Sequence, residues 1–177
     1  MEDKTRVYAA LVAAGIILTP SSKLILVGKK GKKTLPTGHM DRQKDKDLKE
    51  ALVREMKEEL KDEKGNGLEI KVMGSLGTIV RNQAGQDPKL IEIFRCATEK
   101  EEVRFEEKGE TRVWLVEIDD AIKISDIDNL AEEGVKRLID YLEGHLYIRS
   151  ENSGGSDEEG EDCQSNEAEA EDSHTFF

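Results

Sequence analysis

Arg54-Glu55-Met56-Lys57-Glu58-Glu59 is the stretch that decides how this chain folds and what it holds. Positions i, i+3 and i+4 share one side of an α-helix, so Glu55, Glu58 and Glu59 stand together. Three carboxylates there repel one another. A charge-balanced helix has no reason to gather them unless a cation sits between them. Hard divalent cations such as Mg²⁺ take oxygen ligands of this kind. The same stretch sets the helix: Asp47 is placed to cap it, Glu50 follows as the capping-box partner, and the segment predicts a helix from about Leu48 to Lys61.

Turning about 100° per residue from Leu48, Leu52, Val53, Met56 and Leu60 fall on one arc, the expected core face. Lys49 lies within it and must snorkel. Glu59 falls between Leu48 and Leu52, with Glu55 and Glu58 beside that edge. Glu50, Arg54, Lys57 and Lys61 share the wet side. A solvated face of Glu–Lys pairs accounts for Glu50, Lys57 and Lys61. It accounts poorly for Glu59, because an unpaired carboxylate at a core edge is costly or stays protonated. A bound cation removes that cost.

Outward from this helix, Val7 to Thr19 reads as a buried strand, with Thr19-Pro20-Ser21-Ser22 as the turn and Lys23 to Val27 as its partner. Gly28 to Lys33 reads as a basic loop, and Leu35-Pro36-Thr37-Gly38 as a break. Beyond the helix, strands are expected over Leu68 to Arg81, Leu90 to Thr98 and Arg112 to Ile118. In the second of these, Ile91 and Ile93 share one face, Glu92 and Phe94 the other. Asn129 to Leu146 predicts a closing helix with Leu130, Leu138, Ile139 and Leu142 as its apolar stripe. Strands on both sides of a helix, closed by a second helix, make a mixed α/β domain.

The chain has 177 residues, enough for one domain with a real core. Its net charge of −12 is unevenly placed. Residues 151–177 hold ten acidic side chains and no Lys or Arg, whereas residues 1–150 are nearly neutral, with 27 basic against 29 acidic. No basic nucleic-acid footprint results. The acidic segment holds too little apolar surface to offset ordering entropy, so the expectation is one domain over residues 1–149 and a disordered tail over 150–177. Cys96 and Cys163 lie in a strand and in the tail; no disulfide is expected between them, which fits a cytoplasmic protein. The apolar run Val7 to Leu18 is too short to span a bilayer and lacks a clean cleavage signal, so no membrane role is expected.

The region from Leu35 to Glu59 resembles the signature of the Nudix hydrolases: Gly, five residues, Glu, seven residues, Arg-Glu, apolar, any, Glu-Glu, any, Gly, apolar. Gly38 matches the opening glycine, Leu35-Pro36 the residues that usually precede it, and Arg54 to Glu59 the centre. The order of elements over residues 7–146 is similar too. Three positions depart. Arg54 follows Gly38 by sixteen residues rather than fourteen. Lys44, or Lys46 counted back from Arg54, stands at the first glutamate. Lys61 and Asp62 replace the late glycine and apolar residue. In the family the first glutamate pairs with the arginine and holds the loop; Asp45 or Asp47 would then substitute here.

The resemblance implies an α/β/α sandwich around a mixed sheet and Mg²⁺-dependent hydrolysis of a pyrophosphate bond in a nucleoside diphosphate linked to another moiety, with Mn²⁺ as the substitute ion. It implies Glu55, Glu58, Glu59 and the Gly38 carbonyl as metal ligands, with Glu58 and Glu59 also catalytic and Arg54 orienting the loop. Glu110, four residues before Trp114, occupies a place where many members carry a further glutamate; Glu107 is its alternative as general base. Lys29, with Lys30, Lys32 and Lys33, would steer a polyphosphate, Arg81 would contact phosphate, and His39 would touch the site. Such a lysine cluster is more often an exposed loop kept soluble, Arg81 is a comparable case, and Trp114 reads as core. The family's frequent dimers extend the expectation to a homodimer. The degenerate signature motivates a second reading: a catalytically inactive nucleotide-binding or scaffold module on the same fold.

Overall fold

The computed structural model describes residues 10–29, 31–82, 85, 87–105 and 111–152. The apolar run forms β1 (Ala10–Leu18), which turns into β2 (Lys23–Lys29). These two strands meet only at Leu18 and Leu24 before they part. Two short strands follow: β3 (Lys32–Thr34) pairs with β2, and β4 (Thr37–His39) pairs with β1. Helix α1 (Leu48–Glu59) runs directly into β5 (Leu60–Asp62). Then come β6 (Lys71–Arg81), β7 (Lys89–Ala97), β8 (Val103–Phe105), β9 (Arg112–Glu117), the short α2 (Ile118–Ala121) and α3 (Asn129–Asn152).

The main sheet is mixed. β1 pairs with β7 in parallel from Ala10–Lys89 to Leu18–Ala97, β6 is antiparallel to β7, and β9 is antiparallel to β2. β1 is apolar throughout because both of its faces are covered, and successive side chains go to opposite faces. Val12, Ala14 and Ile16 join Ile91 and Ile93 against Leu130, Ala131, Val135 and Leu138 of α3. Ala13 and Ile17 join Phe94 and Cys96 against Leu52 and Met56 of α1. The alternation expected for Ile91, Ile93 and Phe94 is therefore what separates the two cores. The result is an α/β/α sandwich with α1 on one face and α3 on the other.

Several local expectations are corrected. The basic loop is partly strand: β2 extends to Lys29 and returns through Gly31 (φ +81°) into β3. Gly28 must lack a side chain, since a Cβ there would run into the Lys32 carbonyl. α1 stops at Glu59, because Leu60 is extended and buried and begins a pairing of β5 with β8. Buried Asp62 fixes the following turn, its carboxylate accepting from the Lys64 and Asn66 amides. Val53 lies at the margin of the apolar arc and stays 36% exposed, while Ala51 takes the interior place. In α3 Leu142 is exposed, beyond the reach of the sheet's core. No helix of the described residues is long and apolar enough to cross a membrane. Residues 7–9, the side chain of Lys29, all of Lys30, Glu107 and Glu110, and the segment 153–177 lie outside what is described.

Candidate active site on helix α1

The entry to α1 is built from two aspartates with different tasks. Asp47 is the N-cap, its carboxylate accepting from the Lys49 and Glu50 amides at 2.9 Å each. Glu50 reaches back to the Lys46 amide at 2.9 Å. Asp45 faces Arg54 instead: Arg54 Nε donates to Oδ1 and Nη2 to Oδ2, both at 2.9 Å. The Asp45 side chain is 2% exposed. Its Oδ2 also accepts the Asp41 amide at 2.8 Å, and the Asp41 carbonyl accepts the Lys44 and Asp45 amides. This tight turn accommodates the longer loop and returns a carboxylate to the arginine. Between the two aspartates that the sequence offered, the structure selects Asp45.

The Arg54 hydrogen bonds, and then the Asp41 amide, outweigh burial and hold the Asp45 carboxyl at about 2, below its ordinary 3.8. Arg54 is raised in return, chiefly by Asp45 and next by Glu55. A bidentate fork of this kind is stronger and more directional than a lysine pair.

Arg54 has further partners. Nη1 donates to Glu55 Oε1 at 2.9 Å and, at 3.4 Å, to Glu58 Oε2; Nη2 donates to the His39 carbonyl at 3.1 Å. One guanidinium thus joins the loop, the end of β4 and two of the three motif glutamates. Glu55 is half-buried, Glu58 exposed and Glu59 half-buried. Gly38 is buried against α1, where a Cβ would come within 2.8 Å of Glu55 Cγ and 2.9 Å of the Ala51 carbonyl. Only glycine lets β4 lie this close.

Among the described residues no three His, Cys, Asp or Glu side chains are gathered closely enough to hold a metal ion as they stand. The donor set still fits a hard cation in kind: Glu55 and Glu58 are carboxylates that already share one positive group, and the close packing of Gly38 on Glu55 brings the β4 backbone up to them.

The remaining candidates lie apart. His39 is in register with Val12, Ile91 and Ile79 across the sheet. Ile79 is therefore three strand spacings away, about 14 Å, and Arg81 stands two residues further along, at the far end of β6. It faces Asp128 at 3.9 Å and lines an open cleft of about 630 Å³ with Lys32, Asp126 and Asn129. Lys33 is not a free steering charge. It pairs with Asp126 at 2.5 Å and lies over the Trp114 ring, 5.0 Å from its centroid. Trp114 packs against the α3-side core, as expected. Sequence reasoning passed over Asp126 and Asp128. Asp128 caps α3 through the Ala131 amide at 2.9 Å, and its place just before an apolar-periodic run was the available signal.

The fold and the braced carboxylate helix define a class, and comparison with known proteins names it. The family profile described as NUDIX domain matches residues 10–138. The chain belongs to the Nudix family. Among solved structures it is similar to a C. elegans Ap4A hydrolase in a binary complex (19% identity, TM-score 0.57, covering 77% of this chain and 99% of that one). It is similar as well to the NUDIX domain of Shewanella oneidensis NrtR complexed with ADP ribose (14% identity, TM-score 0.60, 80% and 94%). The E. coli ORF135 protein is a third (16% identity, TM-score 0.54, 84% and 96%). No curated protein sequence matches the chain significantly.

Proposed function

We propose that this chain is a Mg²⁺-dependent pyrophosphohydrolase that cleaves a nucleoside diphosphate linked to another moiety. The observation that carries the reading is the Arg54 hub. It ties Asp45 to Glu55 and Glu58, so the motif's central charge pairing survives despite the altered sequence around it. The solved neighbours lend it chemistry, since Ap4A and ADP ribose both contain pyrophosphate linkages.

Glu55, Glu58 and Glu59, helped by the Gly38 carbonyl, would hold the ion. A bound divalent cation supplies an acidified water and neutralises phosphate charge. Arg54 holds the Asp41–Asp45 turn and the end of β4 in place against the helix. Glu110, or Glu107, would take the proton from the attacking water. Lys29 and Arg81 would contact the substrate's phosphates or its distal part, with His39 bordering the site.

The test is a panel of nucleoside diphosphate derivatives with Mg²⁺ or Mn²⁺, read by mononucleotide or phosphate release. Metal-dependent turnover that Glu58→Gln and Glu59→Gln abolish is the expected result. The alternative, a binding module without catalysis, is favoured by one observation: Glu55 and Glu58 meet at Arg54 Nη1, and among the described residues no third acid is gathered with them closely enough to hold a metal ion. Nucleotide binding with no turnover across the panel would establish that alternative.

A further inference from the structure

Beside α1 lies a groove that borders the Asp45–Arg54 pair but whose lysines and valines the catalytic reading does not use. It is open, about 510 Å³, and Val53, Val72, Lys49 and Lys57 are among the residues that line it. Lys44 completes a cationic rim; Arg54 also lines the groove, but its charge is matched by Asp45, Glu55 and Glu58. Two acids also line it, but they are occupied: Asp45 by Arg54, and Glu50 by Lys46 at 3.4 Å. Lys44 and Lys57 hold acids only loosely, at 3.5 Å and 3.9 Å, and both are well exposed. Lys49 has no ion-pair partner among the described residues. The groove thus gathers lysines on a domain that is nearly neutral, while the chain's excess negative charge lies in residues 151–177.

The same chain contains the matching chemistry. Residues 153–177 hold nine acidic side chains and no Lys or Arg, and their only large apolar side chains are Phe176 and Phe177. α3 ends at Asn152. The 20-odd residues from there to Phe176 span up to about 80 Å when extended, more than enough to pass around a domain of this size. We propose that residues 153–177 dock in this groove of their own chain. The acidic run lies along Lys44, Lys49 and Lys57, and the Phe176–Phe177 pair covers Val53 and Val72. Exposed charge pairs are individually weak, so the association is sensitive to salt and depends on tethering. The docked segment also covers the outer side of the Asp45–Arg54 pair.

Disulfide trapping on the full chain tests this. Cys96 is buried and out of play. Cys163→Ser and Ser173→Cys move the reporter thiol next to the phenylalanines, and Val53→Cys places its partner in the groove. Ile122→Cys, on an exposed site elsewhere, replaces Val53→Cys in the control. With oxidised glutathione at low ionic strength, the groove variant should close an intramolecular disulfide about tenfold faster than the control. Lys49→Glu with Lys57→Glu, or about 0.5 M salt, should erase the difference. Equal rates at the two positions would overturn the proposal. So would cross-links formed only between two chains, which would make the occupant a second copy. A preference that survives the charge reversal would overturn it too, because charge would then not be what holds the segment.

Discussion

Asp45 and Arg54 form a two-pronged pair, Nε to Oδ1 and Nη2 to Oδ2, at 2.9 Å each. They stand nine positions apart in the chain. The turn that closes the loop ends at Asp45, and between the pair lie the Asp47 cap and the first turn of α1. The pair therefore fixes how the loop meets the helix, and through Nη1 it sets where Glu55 and Glu58 point. Replacing Asp45 with Asn keeps the size but removes the negative charge and sets a non-accepting NH2 against one of the two arginine N–H donors. Turnover should fall about 10–100-fold, the usual cost of losing a group that orients metal ligands. Mg²⁺ affinity, measured by calorimetry, should weaken with it. Asp45→Glu should recover part of both. Equal activity in Asp45→Asn and the parent protein would show that Arg54 holds the glutamates unaided.

The same pair predicts a pH signature. The Asp45 carboxyl is depressed from 3.8 to about 2. Its folded-state proton affinity is the lower one, so its contribution to stability is fully present above the unfolded value. That contribution is lost as pH falls from about 4 toward about 2. Urea unfolding should therefore show the parent protein more stable than Asp45→Asn at pH 6. The gap should narrow as the pH is lowered through that window. A gap that is unchanged at the acid end would mean that something other than the ionised carboxylate stabilises the loop.

Much of this was readable from residue order because the strongest signals were local. The i, i+3, i+4 carboxylates, the Asp47 cap and the two-faced strand around Ile91 each depend on neighbours within one element. What escaped was set by partners far along the chain. Lys33 reads as a loop lysine until Trp114 and Asp126, about eighty and ninety residues on, enclose it. Leu60 and Lys61 read as helix until β8 pairs with them. The choice between Asp45 and Asp47 could not be made from spacing alone, since both stand near the right distance from Arg54. Hydrogen-bond geometry decides it: one faces the helix amides, the other the guanidinium.

Gly38 offers a steric test independent of charge. An added Cβ would press on both Glu55 Cγ and the Ala51 carbonyl. The side chain could rotate away, but the backbone carbonyl could not. Gly38→Ala should cost about 1–3 kcal/mol in stability, as overpacking does. It should also lower turnover more than that loss explains, because β4 and the His39 carbonyl would shift relative to Arg54. Chemical denaturation and steady-state kinetics on the same sample separate the two effects. Unchanged kinetics in a destabilised protein would confine Gly38 to packing.

Arg81 stands three strands across the sheet from His39 and two residues further along β6, more than about 14 Å away, so the contact proposed for it falls on a distal part of the substrate rather than on phosphate held at the α1 glutamates. Its guanidinium faces Asp128 at 3.9 Å in an open cleft, a separation that leaves both groups able to take a ligand. If the substrate's distal part enters this cleft, Arg81→Ala removes binding that is equal in the ground and transition states. KM should then rise while kcat stays within about twofold. Asp128→Asn should change which substrates are preferred and, because Asp128 also caps α3, should lower the melting temperature slightly. A fall in kcat at saturating substrate for Arg81→Ala would place its role in the chemical step and remove the cleft from the binding path.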